Sequence, residues 1–158
     1  MGGPAFFISW FAAAQILYFA SGGTTDGGPL PGPDEFPTVV LSNRSSVYAG
    51  ATLLAVAGVF LLWFAAGLRD RVRSDRGLDL IGPLGAATVA VLVFLEAGLV
   101  AASVRIAEEA PEASWMVDQL SGAVGFESFL TSLLGAVAAA GVIVAGRNGR
   151  RPAVDDNL

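Results

Sequence analysis

The sequence predicts an all-α fold: a four-helix bundle integral to a membrane, with both termini on the cytoplasmic side. Three observations carry this expectation. Of 158 residues, 54% are hydrophobic and only 15% are charged, against about 45–50% and about 25% in a soluble domain. The apolar residues collect in four runs of roughly 17 to 26 residues, and about 20 apolar residues cross the hydrocarbon core of a bilayer. The arginines gather in two short segments that four spans put on one side. A soluble fold would need four helices apolar on every face, with nothing left to cover them.

The first run, Pro4 to Ala20, reads as a retained first span. No Lys or Arg precedes it, and Phe19 breaks the small-residue pattern of a signal-peptide cleavage site. Residues 21–33 are rich in Gly and Pro and read as a loop. Asp34 is the expected N-cap of a short surface helix from Glu35 to about Ser42, with Pro37 in its first turn. Asn43-Arg44-Ser45 matches a glycosylation sequon, a pattern common by chance. The second run is Val47 to Leu68, with Trp63 near its end, where an aromatic ring meets headgroups.

A basic hinge follows at 69–80, carrying Arg69, Arg71, Arg73 and Arg76. The third run is Ile81 to Ile106, with Pro83 expected in its first turn. Residues 107–119 form an acidic linker, in which Pro111 opens a second short surface helix bearing Trp115 and Met116 on its membrane side. The fourth run covers 120–145, so 1–146 reads as one transmembrane domain and 147–158 as a polar cytoplasmic tail. Hinge and tail hold seven of the nine basic residues, all arginine. The opposite side keeps Arg44 and Arg105 with most of the loop acids. Basic loops stay cytoplasmic because they resist transfer across the bilayer. The expected location is therefore a bacterial inner membrane, multi-pass. The hinge arginines can also touch anionic headgroups, at about 1 kcal/mol each.

Composition excludes several classes of chemistry. The chain has no cysteine and no histidine. Thiolate or imidazole metal sites, Cys-His nucleophilic pairs and histidine switches are therefore ruled out. No phosphate-binding glycine loop and no Ser-His-Asp set is present. With a net charge of −5 and no basic patch bearing aromatics, nucleic acid is not an expected partner. No catalytic residue, metal or cofactor is expected, and the protein reads as more a non-enzyme than an enzyme.

Helices pack in lipid through small residues. The third run offers Ala86-x-x-x-Ala90, Ala97-x-x-x-Ala101 and Gly98-x-x-x-Ala102, and the fourth offers Ser128-x-x-x-Ser132 and Gly135-x-x-x-Ala139. These steps read first as packing within the chain. A homo-oligomer seam or a membrane partner protein is the alternative, beside the lipid bilayer itself.

Glu96 stands deep in the third run. A carboxylate in hydrocarbon costs several kcal/mol unless it is paired, hydrated or protonated, so it should face the bundle interior or a water-filled cavity. Ser103 shares its helix face. Gln15, Glu127 and Thr131 lie in the same outer half of the membrane, and Arg105 at its edge. Gln15, Glu96, Ser103, Arg105, Glu127 and Thr131 thus form a candidate intramembrane polar cluster, open to the outside. One reading is a protonatable or cation-binding site. The other is a hydrogen-bonded clasp between helices.

The segment LSNRSSVYAGATLLAVAGVFLLWFAAGLRDRVR resembles the start of an uncharacterised family of multi-spanning membrane proteins from high-GC bacteria. The shared features are the N-R-x-x-x-x-x-G opening at Asn43, the span ending F-A-x-x-L-R at Arg69, and the basic hinge. The resemblance implies a multi-spanning helical membrane protein and brings no catalytic residues. In layout the chain is also similar to small four-helix proton-coupled multidrug transporters. Those keep an essential glutamate in the first span, where this chain has Gln15. The leading functional expectation is a structural, scaffold or sensor component of the cell envelope. The alternative is a proton- or cation-coupled small-molecule transporter using Glu96.

Overall fold

The computed structural model describes residues 2–26, 28–71, 78–127 and 130–131. Every element among them is a helix. The elements are α1 (Gly2–Ala20), α2 (Phe36–Ser42), α3 (Arg44–Arg71), α4 (Leu78–Glu109) and α5 (residues 111–127). The first three apolar runs are α1, α3 and α4, each extended by a few residues. The expected fourth run is described only as far as α5 and residues 130–131 reach, and the polar tail lies outside the described residues.

The helices share a buried stripe that repeats every 3.5 residues. In α1 it runs Phe6, Trp10, Ala13, Leu17, Ala20; in α3, Val47, Ala51, Leu54, Gly58, Leu61, Ala65. In α4 it runs Ala86, Ala90, Val93, Ala97, Val100, Val104, Ala107. The steps alternate four and three residues, which keeps one seam facing a neighbour along the whole helix length. α3 packs along both α1 and α4. Contact is close because the seam is small. A Cβ on Gly50 would lie 2.5 Å from the Leu17 side chain, and one on Gly58 would lie 3.0 Å from the Phe94 ring. Of the expected small-residue steps in α4, Ala86/Ala90 and Ala97 lie on the seam. Gly98 is exposed with open space around it.

The outward faces are apolar too. Ile8 is 71% exposed, Trp63 70% and Val91 64%. The stretches Arg44–Gly67 and Pro83–Glu109 are long and apolar enough to cross a membrane, whereas Pro4–Ala20 is shorter. Apolar surface on this scale is covered by lipid or by another chain in a stable protein.

Three local structures set the outer ends. α1 closes with Gly22 at φ +91, while Gly22 N–H donates to the Phe19 carbonyl and Gly23 N–H to the Tyr18 carbonyl. That pair of bonds is the Schellman stop, which places glycine in the left-handed position. α2 begins after Glu35, not Asp34, and no side chain caps it. It is no loose surface helix: Phe36, Pro37 and Val40 are buried, against α4 and α3. Asn43 then ties the ends together, its side-chain amide donating to the Ala20 carbonyl at 3.3 Å and the Val39 carbonyl at 3.2 Å. A half-buried amide with both hydrogens engaged is a helix tie, whatever its sequon suggests.

Two expected boundaries differ. α4 begins at Leu78, so Pro83 lies inside the helix and not in its first turn; the missing N–H forfeits one backbone bond there. The separate surface helix after Pro111 does not exist either. α4 turns at Ala110 into α5, which runs without a break from 111 through 127. Pro111 opens it, where no N–H is needed, and Ser114 Oγ donates to the Pro111 carbonyl at 2.7 Å. Trp115 packs against the core, while Met116 is exposed.

Candidate functional site

α5 continues the four-three stripe with different residues: Ser114, Asp118, Ser121 and Gly125. Ser114 and Ser121 are buried, at 0% and 5% exposure, and Asp118 is half-buried. This small, polar seam faces Glu96. A Cβ on Gly125 would lie 2.5 Å from Glu96 Oε1 and 2.9 Å from its carboxyl carbon. The glutamate head therefore rests on the bare backbone of α5. A Cβ there would make the glutamate head shift.

Beside this contact lies a cavity of about 240 Å³ bounded by α1, α4 and α5, with Val40 and Val47 completing the wall. Glu96 and Asp118 both line it. Glu96 Oε2 is buried and has no hydrogen-bond partner. Burial pushes the Asp118 carboxyl up to about 6, above its ordinary 3.8. Among the described residues no arginine lines the cavity.

Four hydroxyl groups line it as well, and each has its proton turned elsewhere. Ser103 Oγ donates to the Val100 carbonyl at 2.8 Å and Ser121 Oγ to the Asp118 carbonyl at 2.9 Å. Ser21 Oγ donates to the Leu17 carbonyl, and the Tyr18 hydroxyl to the Thr24 carbonyl at 3.2 Å. A hydroxyl that has donated its one proton keeps only lone pairs to offer. Among the described residues the polar part of the cavity is thus two carboxyls and four acceptors.

The structure gathers part of the expected cluster. Glu96 and Ser103 line the cavity together. Gln15 and Glu127 are exposed, and neither lines it. Arg105 is also exposed, paired to Glu109 one turn on at 3.5 Å, a contact worth about 0.3–0.5 kcal/mol. Thr131 is half-buried and away from the lining. Arg69 and Arg71 stand in the last turn of α3; Arg73 and Arg76 lie outside the described residues. The second carboxyl of the site is Asp118, in place of Glu127. Its signal in the sequence was the four-three spacing of Ser114, Asp118, Ser121 and Gly125, which the acidic linker around it obscures. Among the described residues no group of three or more acids stands ready to hold a metal ion.

Fold and site together define an all-helical chain with two helices of membrane-spanning length and an acidic, acceptor-lined cavity. The chain matches no known protein family, no curated protein and no solved structure.

Proposed function

We propose that this is a multi-spanning cell-membrane protein that takes up a proton or cation at Glu96 and couples it to movement of a small solute. One observation supports this over a scaffold or sensor role: the unpartnered Glu96 oxygen sits on a cavity that a second carboxyl shares. A structural clasp would satisfy that oxygen, because a buried acceptor left unmade costs about 1–3 kcal/mol. Ionisable groups within spanning helices that face a cavity mark ion and proton pathways.

The chain has no cysteine, so a single introduced thiol reports on its own position. A carrier exposes its central site to each side in turn. In oriented vesicles, the Glu96→Cys variant is expected to react with a membrane-impermeant cationic thiosulfonate added from either face. Val93→Cys, fully buried on the seam, is expected to resist from both. Reaction from one face alone would leave the scaffold or sensor role as the reading. Reaction from neither would mean that the cavity does not reach water.

A further inference from the structure

We infer that the cavity between α1, α4 and α5, which Glu96 and Asp118 both line, is a binding site for a small primary alkylammonium cation, its charged head at Glu96. This inference names the solute class for the carrier reading above and rests on it.

The argument starts from what the cavity lacks. Among the described residues its lining holds no arginine, and the four hydroxyls there have given their protons to backbone carbonyls. A ligand that fills it must bring both the positive charge and the donors. An anion finds neither a cation nor a free hydroxyl proton there. Water alone could bridge some of the acceptors, at about eight molecules for ~30 Å³ each, but it brings no charge to set against two carboxyls.

Size and wall chemistry then separate the cations. A hard divalent ion asks for about 6–8 oxygens converging at 2.3–2.6 Å. Here two carboxyls and scattered hydroxyls line about 240 Å³, and the rest of the wall is apolar, with Ala14, Leu17, Val40, Val47 and Val100. A bare ion would leave that apolar space unfilled. A quaternary ammonium would fill it but carries no N–H for the acceptors. A primary ammonium has three donors on a compact head, and a short alkyl body matches the apolar wall. Charge-assisted N–H···O bonds to carboxylates are among the strong ones.

Gly122 gives a way to close the site without touching its chemistry. It lines the cavity, is exposed, and has no atom within 4 Å of where a Cβ would stand. An added Cβ there meets no described atom, so a leucine can be introduced at the cavity wall to take up space beside the carboxyls.

The test is calorimetric titration of the detergent-purified full chain with butylammonium chloride, against tetramethylammonium, sodium and calcium chlorides at matched ionic strength. Butylammonium is expected to bind and the other three to bind far more weakly. Glu96→Gln and Asp118→Asn should each weaken butylammonium by about 10–100-fold, the scale of one lost hydrogen bond to a charged group. Gly122→Leu should abolish binding with both carboxyls intact, and Gln15→Ala, outside the cavity, should leave it unchanged. Sodium or calcium binding as well as butylammonium would overturn the ammonium class. So would butylammonium binding that survives Gly122→Leu. If Glu96→Cys reacts from both faces yet butylammonium does not bind, the carrier reading stands and the solute class fails. If Glu96→Cys reacts from neither face, both fail together.

Discussion

At the scale of single residues, the contact between Glu96 and Gly125 governs the site. Gly125→Ala places a methyl where the carboxyl rests, and because the glutamate head can shift, the cost should fall at the low end of the about 1–3 kcal/mol of overpacking. The loss should shrink in a Glu96→Ala background, because the atom in the way is gone. Thermal unfolding of the four members of that double-mutant cycle measures the coupling, and additive losses would mean that the two residues do not touch. Asp118 makes a pH prediction. Its carboxyl is pushed up to about 6 by burial, so between about pH 4 and 6 the folded state holds a proton that the unfolded state has released. Stability from this group is full below its unfolded value and is lost as pH rises through the folded one. Asp118→Asn cannot ionise, so it should equal the parent near pH 4 and exceed it above about pH 6. The comparison belongs in both the parent and Glu96→Gln, since Glu96 lines the same cavity. An advantage that grew toward low pH would contradict the assigned cause.

At the scale of elements, the helices are held by one seam along each helix, rich in alanine in α4, rather than by an apolar face against a polar one. Ala90 and Gly98 test this on one helix. Ala90 is fully buried on the seam, and Gly98 faces open space. Ala90→Leu should lower the unfolding midpoint in detergent by the equivalent of about 1–3 kcal/mol, while Gly98→Leu should stay within about ±0.5 kcal/mol. Equal effects would mean that α4 packs through another face. The outer ends depend on polar ties instead. Asn43 donates to two carbonyls from two helices, so Asn43→Ala should cost about 1–3 kcal/mol through the acceptors left behind. Asn43→Asp should cost no less, since a carboxylate cannot donate to either carbonyl.

At the scale of the whole molecule, the arrangement of charge predicts orientation. Cysteine at Ser74, in the arginine hinge, should resist an impermeant reagent added to intact cells, and cysteine at exposed Glu112 should react. The reverse pattern would invert the bundle.

What the sequence determined by itself were the helices. Three of its four apolar runs are α1, α3 and α4, because run length against bilayer thickness needs no knowledge of neighbours. Glu96 was legible for the same reason: a carboxylate amid apolar residues stands out in one dimension. The inward faces were not legible. When Phe7, Phe11 and Val91 outside are as apolar as Phe6, Leu54 and Val93 inside, neither polarity nor size says which stripe is buried, and the packing of the helices decides. The partner of Glu96 was hidden for a second reason. Gln15 and Glu127 were the candidates by depth, while Asp118 read as one acid of the outer linker, and depth is all that a linear chain can offer. Only the tertiary structure decided among them. The tight turn at Ala110 makes α5 one continuous helix, and its register brings Asp118, Ser121 and Gly125 to the glutamate while leaving Glu127 exposed.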